Sequence, residues 1–146
     1  NGMVESWLEF EYDNSDRVVL TKEFENNKLE FYEEDVYVSD RESISLRYNS
    51  LGQLTLRTEY KKLKDKNTFV NSYYDDQGNL TGRNEEDRSS EDEVLEQRFY
   101  DGNGNLIRQI VFGENDEFGF RTLLVENIYN FYKLLKNITT IYIYEY

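Results

Sequence analysis

The chain has 146 residues, no His, Cys or Pro, and 16% aromatic content with 13 Tyr and 9 Phe, which is the composition of a strand-former and long enough for one domain over 1–146. Without imidazole or thiol there is no disulfide and no thiolate metal site, and the commonest general base is missing; no cofactor and no catalytic residue is expected. Thirty Asp and Glu against 17 Lys and Arg leave a net charge of −13, which repels nucleic acid and anionic membrane surfaces and favours a basic protein as partner.

The predicted architecture is all-β: an antiparallel meander of repeated hairpins, forming either an open twisted sheet or a sandwich- or barrel-like closure. Asn1 and Gly2, ahead of Met3, read as a cloning remnant. Met3 as the native start implies a cytoplasmic protein; a junction after a removed leader implies the cell surface or periplasm. Alternating patterns predict strands near 4–12, 17–24, 28–38, 42–48 and 53–61. Lys61 to Asn67, the one basic stretch, reads as a solvated loop. Strands follow near 68–74 and 79–84, then a polar acidic loop from Asn84 to Glu93. Further strands are expected near 93–100 and 105–112, with a turn-rich link from Gly113 to Gly119. The segment 120–132 reads as a strand. Leu124, Ile128, Phe131 and Leu135 also fit helical spacing, so a short helix near 123–135 is the alternative. Ile138 to Tyr146 alternates as a terminal strand, and an exposed edge at 138–146 would permit self-association.

A repeat underlies this pattern. Tyr48-Asn49-Ser50-Leu51-Gly52-Gln53-Leu54, Tyr74-Asp75-Asp76-Gln77-Gly78-Asn79-Leu80 and Tyr100-Asp101-Gly102-Asn103-Gly104-Asn105-Leu106 follow one another at 26-residue intervals. Tyr12 to Val18 is a weaker copy with Asp16 in the glycine slot, and Tyr132 to Ile138 a degenerate one. Gly52, Gly78 and Gly104 are the structural turn residues, because a tight hairpin needs positive φ there. The preceding Asp or Asn bonds its own backbone.

The Tyr-Asp-x-x-Gly-Asn-Leu core resembles the tyrosine–aspartate (YD) repeats of the Rhs family of bacterial surface and toxin proteins. It is also similar to the MORN-variant repeats of some proteins labelled antitoxins. The resemblance covers about residues 44–112 and implies a bacterial β-repeat protein. That family carries no catalytic residue in these repeats, so it implies no active site here.

Asp101 to Asn105 begins like a calcium loop, but Leu106 and Phe112 stand where an EF-hand needs Gly and Glu, and the flanks read as strands. The binding candidates are the acids Glu85, Glu86, Asp87, Glu91, Asp92 and Glu93, with the paired rings Tyr73 and Tyr74. These point to a non-enzymatic protein-binding module, in the manner of an acidic immunity or antitoxin-like inhibitor of a basic bacterial toxin. The rival readings are a structural cell-surface or lipoprotein repeat module, a carboxylate-dependent glycan hydrolase, and a nucleic-acid mimic.

Overall fold

The computed structural model describes residues 5–64, 66–113, 123–130 and 133–141. These carry β1 (Ser6–Tyr12), β2 (Val18–Glu25), β3 (Lys28–Ser39), β4 (Glu42–Asn49), β5 (Leu54–Lys62), β6 (Thr68–Tyr74), β7 (Leu80–Arg88), β8 (Val94–Asp101), β9 (Leu106–Phe112), β10 (Leu123–Asn130) and β11 (Lys133–Ile141). The strand order is the sequence order, with β1 at one end and β11 at the other. The fold is an all-β antiparallel meander, as the alternation required. Its Cα packing falls into two units, residues 1–61 with 73–79, and residues 62–72 with 80–146.

The turns explain the register. Asp13, Asn49, Asp75, Ser89 and Asp101 each use a side-chain oxygen to accept backbone N–H bonds from two and four residues ahead. Three residues after each, the chain enters the left-handed region: Asp16 at φ 58°, Gly52 at 77°, Gly78 at 82°, Asp92 at 68° and Gly104 at 82°. A type I turn followed by such a residue is a favoured hairpin connection. The pairings β1/β2, β4/β5, β7/β8 and β8/β9 slip by one residue beside it. The three glycines therefore lie at strand-to-strand corners, and Asp16 fills the glycine slot as the weak first copy required. The β2–β3 connection is different: Asn26 and Asn27, at φ 49° and 63°, form a two-residue turn with positive φ at both positions.

Three expectations are corrected. The segment 84–93 is not one loop: β7 runs through Arg88, and only 89–93 turns. Its carboxylates alternate between the two faces and are met by Arg and Gln on β8, so charge compensation makes a polar stretch into a strand. Of the two readings of 123–135 the strand holds in β10 and the alternative helix falls, since β10 and β11 pair from Leu123↔Ile141 to Asn130↔Lys133. The degenerate copy at 132–138 is not a turn, since residues 133–138 lie inside β11. The link 114–119 and residues 142–146 of the expected terminal strand lie outside the described residues.

Among the described residues only Ile110 and Thr68 are buried. Sheets ordinarily bury one face against a second layer; here lateral side-chain pairs carry much of the packing. In unit 1 Trp7 stacks on Phe24 at 5.0 Å and Tyr32 on Tyr48 at 4.8 Å. Aromatic cross-strand pairs stabilise a sheet by roughly 0.2–1 kcal/mol each.

Candidate interaction surface

The 26-residue repeat extends beyond the turns to the faces. In unit 1 the Arg57 guanidinium lies over the Tyr74 ring at 5.4 Å and pairs with Glu59, while the Tyr74 hydroxyl donates to Glu59 at 3.2 Å. In unit 2 Arg83 lies over Tyr100 at 4.5 Å and pairs with Glu85 at 3.1 Å, and the Tyr100 hydroxyl donates to Glu85 at 3.3 Å. The second triad is the first shifted by 26 positions. The repeated spacing of the turn tyrosine thus carries its Arg and Glu partners with it, two residues apart on the preceding strand and so on one face.

The same use of arginine recurs elsewhere. Arg47 covers Phe31 and pairs with Glu33 at 3.1 Å. Arg17 covers Tyr37 and pairs with Asp13 at 2.7 Å. Arg88 covers Phe69 and pairs with Glu86 at 2.6 Å. Arg108 covers Phe99 and pairs with Glu126 at 2.6 Å. Guanidinium planes suit such stacking while their edges meet carboxylates.

The acids singled out from the sequence divide into two sets. Glu85, Glu86 and Asp87 are strand residues with partners. Arg98 joins Glu85 at 3.2 Å, Asp87 at 2.8 Å and Glu96 at 3.0 Å. Glu86 accepts from Arg88 and, at 2.7 Å, from Gln97. Burial alone would raise the Asp87 carboxyl, but hydrogen bonds from Thr68 and Arg98 outweigh it and hold the group below its ordinary value. Burial likewise opposes the charge on Arg98, yet the bonds and charges of Asp87 and Glu96 raise its already high pKa. Glu91, Asp92 and Glu93 sit on the exposed 89–93 turn, where Asp92 reaches Arg88 at 3.2 Å.

Tyr73 and Tyr74 occupy successive positions of β6 and so face opposite ways. Tyr74 belongs to the Arg57–Glu59 triad. Tyr73 is half-buried, and burial pushes its phenol up. These two rings fall in unit 1 and the acids in unit 2.

Sequence reasoning missed a polar row in unit 2. Glu85, Arg98, Gln109, Asn127 and Asn137 stand directly opposite one another across β7 to β11. Gln109 donates to Glu96 at 2.7 Å and accepts from Asn127 at 3.2 Å and from the Tyr129 hydroxyl at 2.9 Å. Asn137 donates to Asn127. Only the register reveals this row, because its members lie at irregular sequence spacings. At the Asp101 turn the carboxylate is engaged in the turn itself: Oδ1 accepts the Asn103 and Asn105 N–H groups and Oδ2 the Asn105 side-chain amide. Among the described residues no group of three or more carboxylates is arranged to hold a metal ion.

No family model matches the chain, and no curated protein matches it. A solved structure, a protein of unknown function from Bacteroides fragilis, is similar with a TM-score of 0.47 and 12% identity, over 94% of this chain and 93% of that one. That protein's role is itself unknown, so the likeness brings no activity with it.

Proposed function

We propose that the chain is a non-enzymatic binding module for a basic protein, acting as an acidic immunity or antitoxin-like inhibitor. The observation that carries this reading is the internal use of arginine. Arg17, Arg47, Arg57, Arg83, Arg88, Arg98 and Arg108 are all held in intramolecular ion pairs. These arginines are drawn onto acids, and all but Arg98 also onto rings, while the chain as a whole carries 30 acids against 17 basic residues. A surface of one sign speeds encounter with a partner of the other and excludes partners of its own. The antitoxin-associated repeats that the turns resemble point the same way.

The test is to express the chain with the product of the gene beside its own and measure association at low and high salt. Expected is a complex whose association rate falls steeply as salt rises. A neighbouring gene product that is not basic, or that fails to associate at low salt, removes the reading.

A further inference from the structure

Among the described residues strand β1 ends the strand order, paired with β2. All seven of its residues are exposed. Its outer backbone groups form a template for another strand; the edge carries no Lys and no Pro, and the charges that guard it are glutamates. The two faces of this edge differ in chemistry. Leu8, Phe10 and Tyr12 share one face and are 50%, 46% and 59% exposed. Glu9 and Glu11 share the other with Trp7, which is stacked on Phe24, and Glu5 just ahead of the strand continues that face beyond Trp7. Glu11 reaches Lys22 at 3.2 Å and Glu9 takes only the neutral Trp7 indole N–H, at 3.4 Å, so the row keeps an excess of negative charge.

A second copy of β1 is a poor occupant. Glu5, Glu9 and Glu11 are all odd-numbered, so every antiparallel self-pairing that opposes at least five residues sets two glutamates against each other. Like charges directly opposite destabilise a pair of strands. The same row fits a strand of the opposite sign.

We propose that β1 takes up a basic extended segment of a partner protein as an added strand. Lysines or arginines at alternate positions of that segment face Glu5, Glu9 and Glu11, and the apolar side chains between them cover Leu8, Phe10 and Tyr12. Main-chain bonds supply the affinity and the alternation supplies the specificity. This proposal rests on the reading of the chain as a binder of basic proteins and names the site.

The probe is a capped, fluorescent peptide of alternating Lys and Val, titrated with the full chain by anisotropy at low salt. Expected is saturable binding, weakened at least tenfold for the same composition with its lysines in one block. A peptide N-methylated throughout, which cannot pair its backbone, should not bind. E9K/E11K should weaken binding at least tenfold, and E9Q/E11Q by a smaller factor with unchanged circular dichroism. Equal binding of the alternating and block peptides, or binding by the N-methylated peptide, overturns the proposal without recourse to any variant. If the neighbouring gene product binds and E9K/E11K does not affect it, the edge proposal falls alone. If the peptide binds as described and that product does not, only the inhibitor reading falls.

Discussion

Gly102 presses against the main chain of Leu80: a Cβ on Gly102 would stand 2.4 Å from the Leu80 carbonyl oxygen and 3.3 Å from its carbon. Backbone cannot yield as a flexible side chain does, so Gly102→Ala should destabilise the protein by about 1–3 kcal/mol, the usual cost of overpacking. Urea denaturation would show it as a lower midpoint at unchanged slope. Gly78 offers the contrast. Nothing lies within 4 Å of its would-be Cβ, but its φ is 82°. Gly78→Ala should therefore cost the roughly 1–2 kcal/mol of a left-handed L-residue, and Gly78→Asn less.

Asp16 holds a positive φ without being glycine, and in the turn its backbone N–H bonds the Asp13 carbonyl at 3.1 Å. Asp16→Gly should raise stability by a few tenths to about 1 kcal/mol, since relief of left-handed strain exceeds the added freedom of the unfolded chain. A lower thermal midpoint for this variant would show that the Asp16 side chain contributes something its geometry does not reveal.

The turn carboxylates set an acid limit. The Asn105 side chain and the backbone N–H groups around it hold Asp101 below its ordinary 3.8, as Asn79 does for Asp75 and Arg17 for Asp13. A carboxyl lowered in the folded state contributes stability that is complete above the unfolded pKa and is lost as pH falls through the folded one. Stability should thus decline as pH drops below about 4. Asn49 performs the same acceptor role with an amide oxygen, so Asp101→Asn should retain the turn at neutral pH and flatten the acid limb. Thermal melts between pH 2 and 7 would check both expectations.

Arg98 holds Glu85, Asp87 and Glu96 together. Arg98→Ala leaves three carboxylates facing one another and should destabilise by roughly 1.5–3 kcal/mol, the scale of hydrogen bonds to charged groups. Arg98→Lys should recover part of this, because an ammonium cannot reproduce the planar fork. The loss should shrink as salt rises and as the carboxylates protonate, and denaturation at two salt concentrations would measure it.

The glycine turns were legible because one short sequence states both of their needs: an oxygen-bearing residue, and a glycine three positions later. The turn at Ser89 has the same geometry and was not recognised. Ser89 takes the Asp role and Asp92 the Gly role, so neither letter matches although both functions do. Glu85, Glu86 and Asp87 looked like loop residues for a related reason. Their compensation comes from Arg98 and Gln97 on another strand, and a charged run shows its partners only once the register is known. The 123–135 ambiguity was of another kind, since Leu124 and Ile128 satisfy a helical period as well as an alternating one. The pairing of Asn127 with Gln109 on one side and Asn137 on the other is the long-range constraint that a local pattern lacks. For the candidate surface, the sequence disclosed the sign of the charge and the unusual number of rings, while the stacking of arginine upon those rings required coordinates.

The sequential strand order has a kinetic consequence. Each resolved pairing unites segments adjacent along the polypeptide, across connections that are mostly a handful of residues long. Little loop entropy has to be surrendered before a contact rewards it, so this topology should fold quickly for an all-β chain. With few interior side chains demanding simultaneous placement, one formed ribbon can seed the next, and growth can start from any of several corners.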